Sequence, residues 1–194
     1  MIDPVAALDF LWAGQDGLFE LDKRQNDGYR RRLYDRNEAL SSLVGYEYFG
    51  PLARISAGSA LVATRVGNVL WADIDDTFGL DERLTSCVPA TPSLLVFSGN
   101  RGFWAFWKLS RLIAVEEIEA LNRGIAERLK ADKGSCKPLQ LARLPGSFRK
   151  ETERFAEVVS FPGNVYDPEQ FSPVCASSFS RLIRACVDRL SRPG

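Results

Sequence analysis

Apolar positions recur at helical spacing in some parts of the chain and run or alternate at strand spacing in others. Residues 115–130 carry the clearest helical stripe. Ile118, Leu121, Ile125 and Leu129 share one face, and Glu116, Glu117 and Glu119 fill the first turns, where acids suit a helix N-terminus. Residues 4–12 predict a short amphipathic helix. Residues 36–44 predict another through Leu40, Leu43 and Val44, and residues 177–190 a C-terminal one through Phe179, Leu182, Ile183, Cys186 and Leu190. Residues 52–66 alternate around Gly58 as a strand or hairpin. Residues 93–98 and 103–109 predict two strands joined by Gly99-Asn100-Arg101-Gly102. Residues 77–92 read as a loop or short helix, 139–144 as a short strand or turn, and 155–159 as a strand. The rest of 17–48 mixes charges with aromatics and predicts no clear element. Hairpins interleaved with isolated helices give an α+β class rather than alternating βαβ units.

One strand carries chemistry. VLWADID, at residues 69–75, is an apolar run that ends in Asp-x-Asp. Alternation along a strand sends Leu70, Ala72 and Ile74 to one face and Asp73 and Asp75 to the other. Two carboxylates on one side of a rigid element suit a hard divalent cation such as Mg²⁺, which takes oxygen ligands and leaves positions for substrate phosphates.

Composition narrows the chemistry further. Among 194 residues there is no histidine, so neither a histidine general base nor a histidine-ligated zinc site is available. Cys87, Cys136, Cys175 and Cys186 lack C-x-x-C spacing and read as small packed groups. The 25 basic and 25 acidic residues cancel, which excludes a generally basic coat but not a local basic groove. The run Arg30-Arg31-Arg32 reads either as a solvated face or as a template contact. No 18-residue apolar run predicts a membrane span, and MIDPVAALDF lacks a basic leader, so a cytoplasmic location is the expectation.

Three features stand in order: the Asp-x-Asp strand, then SGNRGFWAFWKL at 98–109, then Asp132 followed by KPLQLARLPGSFRK at 137–150. This order resembles the archaeo-eukaryotic primase superfamily, most closely the catalytic domain of its phage and plasmid primase-polymerases. The resemblance runs over residues 54–150. It implies the family's α+β fold, with a mostly antiparallel RRM-like sheet beside a smaller α/β subdomain, in one catalytic domain over 1–194. In such proteins a helicase region often follows.

The resemblance also implies roles. Asp73, Asp75 and Asp132 are the catalytic acids that hold two Mg²⁺ or Mn²⁺ ions; Asp132 stands eleven residues before Arg143, as the family's third acid stands before its Arg-Leu. Ser98 contacts the phosphates of an incoming dNTP or NTP. Arg143, with Arg149 or Lys150, grips the triphosphate, and Asn100 and Arg101 lie in the intervening loop where they too reach phosphate. Two positions depart from the pattern: Trp104 stands where the family has a histidine, and Lys137 where plasmid-type relatives often have another Asp. The implied activity is template-directed nucleotidyl transfer to a 3′-hydroxyl, with de novo priming as an extension of it. The implied partners are a single-stranded DNA template and primer, in a bacterial or phage-infected cell. Two other readings stay open: a non-catalytic replication-initiation module with a relict site, and a two-metal nuclease.

Overall fold

The computed structural model describes residues 2–25, 28–57 and 60–174. Helix α1 (Pro4–Trp12) forms as expected. Asp3 accepts the Val5 N–H at 2.9 Å, and Pro4 occupies the first turn, where its missing N–H is harmless. Strands β1 (Phe19–Gln25) and β2 (Gly28–Tyr34) then make an antiparallel hairpin in the stretch that predicted no element. Helix α2 (Arg36–Ser41) is shorter than the expected 36–44. The chain leaves it to turn at Gly45, whose φ is +87°, and Val44 is not a core residue but 97% exposed. Strand β3 (Tyr48–Phe49) returns to pair with β1.

Strands β4 (Arg54–Ala57) and β5 (Ala60–Ala63) are the hairpin anticipated around Gly58. Strand β6 (Val66–Ile74) carries the first acid and stops one residue short of Asp75. A short helix, α3 (Leu80–Ser86), forms within the stretch expected as a loop or short helix, and β7 (Leu94–Phe97) and β8 (Phe103–Ala114) form the anticipated pair. Helix α4 (Val115–Leu129) buries Ile118, Leu121, Ile125 and Leu129 as its stripe requires. Beyond it come a 3₁₀ turn (Lys133–Cys136), β9 (Ala142–Arg143), β10 (Phe148–Arg149), β11 (Arg154–Phe155), β12 (Glu157–Ser160) and β13 (Val165–Tyr166), then a second 3₁₀ turn (Pro168–Phe171). Buried Ala156 breaks the expected strand 155–159 into two, each with a different partner. The expected helix over 177–190 lies outside the described residues.

Two sheets make the framework. One has the order β2-β1-β3-β9; the other runs β12-β7-β8-β13, with β6 on the opposite edge of β8. All of these pairings are antiparallel except β13 with β8. The sheets meet face to face: Phe49 of β3 and Phe106 of β8 have ring centroids 5.8 Å apart, and Trp12 packs against Phe19 and Phe49. The outer edge of β6 is covered by α4, where Asn122 Oδ1 accepts the Trp71 backbone N–H at 2.9 Å. A sheet edge buried this way keeps its polar groups satisfied. No helix among the described residues is long and apolar enough to cross a membrane.

Buried charge also shapes the fold. Lys108, on β8, sends its ammonium under α1 to the carbonyls of Leu11 and Ala13 and to Asn68 Oδ1. Arg54 is fully buried and donates to Glu20 at 2.7 Å and to the carbonyls of Leu52, Pro138 and Gln140. Cys136 is buried and Cys87 partly so, both as free thiols.

Candidate active site

The acids gather at the end of β6, where the chain that leaves α4 returns to it. Asp73 lies opposite Trp104 across the β6–β8 ladder, and Trp71 lies opposite Phe106. Directly paired residues share a face, so Trp71, Asp73, Trp104 and Phe106 all point toward the first sheet. Trp71 is fully buried on the face that carries Asp73 and β6 is covered on both sides, so the strand's end is what reaches solvent there. Asp73 is half-buried and Asp75, one step past the strand, is exposed.

Asp132 comes to the same place by a dedicated set of contacts. Its backbone N–H donates to the Asp73 carbonyl at 2.8 Å. The turn that follows is pinned from β6 by the Trp71 indole N–H, which donates to the Ser135 carbonyl at 2.7 Å. Arg83 of α3 donates to the carbonyls of Leu129 and Asp76, tying the end of α4 to the loop after the Asp-x-Asp pair. Arg83 and Trp71 were missed from sequence. Nothing local marks them, because their acceptors lie elsewhere in the chain.

Electrostatics agree with the convergence. Burial pushes the Asp73 carboxyl up to about 7, helped by the like charges of Asp75 and Asp132, while Arg149 pulls the other way. Asp132 also uses one carboxylate oxygen to accept the Gly134 N–H at 2.8 Å, capping its own turn. Among the described residues no three Asp, Glu, Cys or His side chains close around a single point as a ready-made cage. The set nevertheless fits a hard divalent cation. Mg²⁺ is usually held through one or two carboxylates and completes its shell with water and phosphate oxygens. A half-buried carboxyl with two acidic neighbours supplies the charge such an ion balances.

The glycine turn is placed beside the acids. Ser98 N–H donates to the Gly102 carbonyl at 3.0 Å, closing the turn, and Gly99 has φ +78°. A Cβ on Gly102 would lie 2.7 Å from the Ile74 carbonyl and 3.0 Å from Asp75 Oδ1, so only glycine lets the turn sit against the end of β6. Thr152 donates its hydroxyl to the Gly99 carbonyl, which joins this turn to the β10–β11 hairpin. Ser98 is buried at the base of the turn, Asn100 is partly exposed, and Arg101 is exposed.

The basic residues divide. Arg149 is the one whose charge acts on Asp73, and it lies 3.8 Å from Glu151. Lys150 is exposed beside it. Arg143 is buried and committed to the protein: it donates to Glu47 at 3.1 Å and to the Phe148 carbonyl at 2.9 Å, and lies over the Tyr48 ring. Its place is behind the hairpin that carries Arg149. Trp104 is 5% exposed and stacks on Phe106. The other three tryptophans give their indole N–H to backbone carbonyls of Gly50, Ser135 and Ala90. For Trp104 no acceptor is found among the described residues.

No protein-family model matches the sequence, and no curated protein matches it. Solved structures do match the fold. The crystal structure of primase RepB′ superposes with a TM-score of 0.65 at 15% identity, covering 97% of this chain and 68% of that one. The catalytic domain of RepB′ in complex with initiator DNA gives 0.64 at 16% identity, over 93% of this chain and 97% of that one. The archaeo-eukaryotic primase domain of the cyanophage S-2L primase-polymerase gives 0.63 at 16% identity, over 81% and 88%. The chain therefore has the α+β fold of archaeo-eukaryotic primase catalytic domains.

Proposed function

We propose that a chain with this primase fold is a DNA primase-polymerase catalytic domain, which adds nucleotides to a 3′-hydroxyl on a single-stranded template. The observation that carries the reading is the meeting of Asp73, Asp75 and Asp132, held by a backbone hydrogen bond between the first and last, with Arg149 facing them. The structural likeness to primase and primase-polymerase domains supports it.

In this reading Asp73 and Asp75 hold Mg²⁺ or Mn²⁺ with help from Asp132. Bound there, the ions neutralise the triphosphate and lower the pKa of the attacking hydroxyl. The protein's own groups position the reactants. Arg149 takes the triphosphate as a planar fork beside the acids, and Lys150 adds a mobile charge. The 98–102 turn sits against the end of β6, which brings Asn100 and Arg101 beside the acids as further phosphate contacts. The indole N–H of Trp104 offers one neutral donor where the family's histidine would stand. Arg143 acts at one remove, through Glu47 and the Phe148 carbonyl, by fixing the hairpin.

The test is extension of a labelled primer on a single-stranded template with dNTPs and Mg²⁺ or Mn²⁺, with Asp73→Ala as control. Extension by the wild type alone supports the polymerase. Template binding without extension points to a non-catalytic initiation module, and shortening of the primer to a nuclease.

A further inference from the structure

On the far side of the β10–β11 hairpin from the acids lies a groove whose chemistry, Lys150 apart, the proposed reaction does not use. At one end, β1 and β2 present Lys23, Arg30 and Arg32 on one face: Lys23 lies opposite Arg30, and Arg32 follows two residues on. The groove continues over Val44, Gly45 and Tyr46 to Phe148, Lys150 and Phe155. Its central recess holds about 480 Å³. The floor is apolar and open to solvent: Val44 is 97% exposed, Phe155 53% and Phe148 44%. Tyr34 and Tyr46 are locked edge to face by a hydrogen bond between their hydroxyls at 2.8 Å, so this part of the wall is preformed.

The charge balance of the groove is one-sided. Its two neighbouring carboxylates are already engaged, Glu47 by Arg143 at 3.1 Å and Glu151 by Arg24 at 2.7 Å. Lys23, Arg30, Arg32 and Lys150 have no carboxylate partner among the described residues. In a chain whose formal charge is zero, four uncancelled cations along an aromatic and aliphatic floor are a local feature, not a by-product of composition. Unpartnered cations that track a backbone, beside exposed rings on which bases stack, match single-stranded nucleic acid. A duplex hides its bases and could not use the floor. An acidic peptide would satisfy the cations but has no need of flat rings.

We propose that this groove seats the single-stranded template, its phosphates on Lys23, Arg30 and Arg32 and its bases against Val44, Tyr46 and Phe148. The inference rests on the reading of the chain as a template-directed polymerase. The hairpin links the two places, because Phe148 and Lys150 line the groove while Arg149, between them, faces Asp73. A strand that follows the groove is led past the hairpin toward the acids.

The experiment is fluorescence anisotropy of a labelled single-stranded oligonucleotide with the whole chain across a salt series. The variants are Arg30→Glu/Arg32→Glu, Arg30→Ala/Arg32→Ala and Val44→Asp. Arg123→Ala, on the outer face of α4, is the control. Each variant's fold is checked by circular dichroism. The glutamate pair is expected to weaken binding at least tenfold. The alanine pair should lower the slope of log K against log salt by about 1.4, near 0.7 for each phosphate no longer neutralised. Val44→Asp should weaken binding several-fold, and Arg123→Ala should leave it unchanged. Wild-type affinity and slope in the glutamate pair overturn the proposal, as does equal affinity for duplex, or polyglutamate bound in place of DNA. The two readings fail separately. Binding that tracks these variants in a protein that extends no primer removes the polymerase and keeps the groove. Robust extension with an unchanged template KM in the glutamate pair removes the groove and keeps the polymerase.

Discussion

Two clusters of charge sit on the two sheets, and they are built on opposite plans. On the first sheet, Glu20 and Asp22 lie with Arg31 and Arg54. Arg54 is fully enclosed, its donors taken by Glu20 and three backbone carbonyls, and Gly50 leaves room for it because a Cβ there would lie 2.8 Å from Nη2. On the second, Asp73, Asp75 and Asp132 add to one another, and Arg149 opposes them. In the first cluster Glu20 is paired with Arg31 and Arg54, and Asp22, pushed up by burial and by Glu20, keeps one oxygen without a hydrogen-bond partner among the described residues. In the second, like charges face one another with only Arg149 against them. Burial of charge is therefore not what marks a site in this molecule; imbalance is.

The comparison breaks if the second cluster proves structural. Asp73→Ala should lower primer extension by about three orders of magnitude, since a metal-bound transition state loses several kcal/mol when its ligand goes. The fold should survive it. Arg54→Ala should do the reverse, costing about 3–5 kcal/mol by leaving Glu20 buried with only the half-exposed Arg31 as partner. Urea unfolding measures that loss, and the variant's extension per folded molecule should stay near wild type.

Smaller effects sharpen the contrast. Arg149→Ala should raise the KM for dNTP about tenfold with little change in melting temperature. Arg143→Ala should instead lower stability by about 1–3 kcal/mol, through the orphaned Glu47 and Phe148 carbonyl. The smallest effect is a pH dependence in chelator-treated protein. A carboxyl raised from about 3.8 to about 7 in the folded state binds more protons folded than unfolded between those values. Its stabilising contribution is complete below the lower value and is lost as pH rises through about 7. Wild type should therefore lose melting temperature relative to Asp73→Asn over that range. Added Mg²⁺ should remove the difference at pH 8, and equal profiles at all pH values would sink the assignment.

The acids were legible because their signals are local. The Asp-x-Asp ends an apolar run, the 98–102 turn has two glycines between strands, and the α4 stripe has an unbroken period. Asp132 was legible only through its order and spacing relative to the others; the hydrogen bond that brings it to Asp73 has no sequence mark. The β1–β2 hairpin was opaque because its strand positions hold Glu20, Asp22 and Arg31, which are acceptable there only through Arg54, a residue outside the hairpin. Val44 misled for a similar reason. Its spacing continues that of Leu40 and Leu43, but the backbone turns at Gly45 before the helical period can apply. The expectation for Arg143 followed its spacing from Asp132, whereas its surroundings are set by Glu47 and Tyr48 from the first sheet.

The hydrogen bond from Asp132 to the Asp73 carbonyl also bears on when the molecule acquires its site. The first two acids leave the ribosome early, on a strand that has no β8 to pair with and no α4 to cover its edge. The third acid can dock only after both have been made and packed, and Arg149 follows later still. Contacts that span this much chain form late and slowly. A nascent chain that ends before Asp132 thus does not carry the finished set of acids.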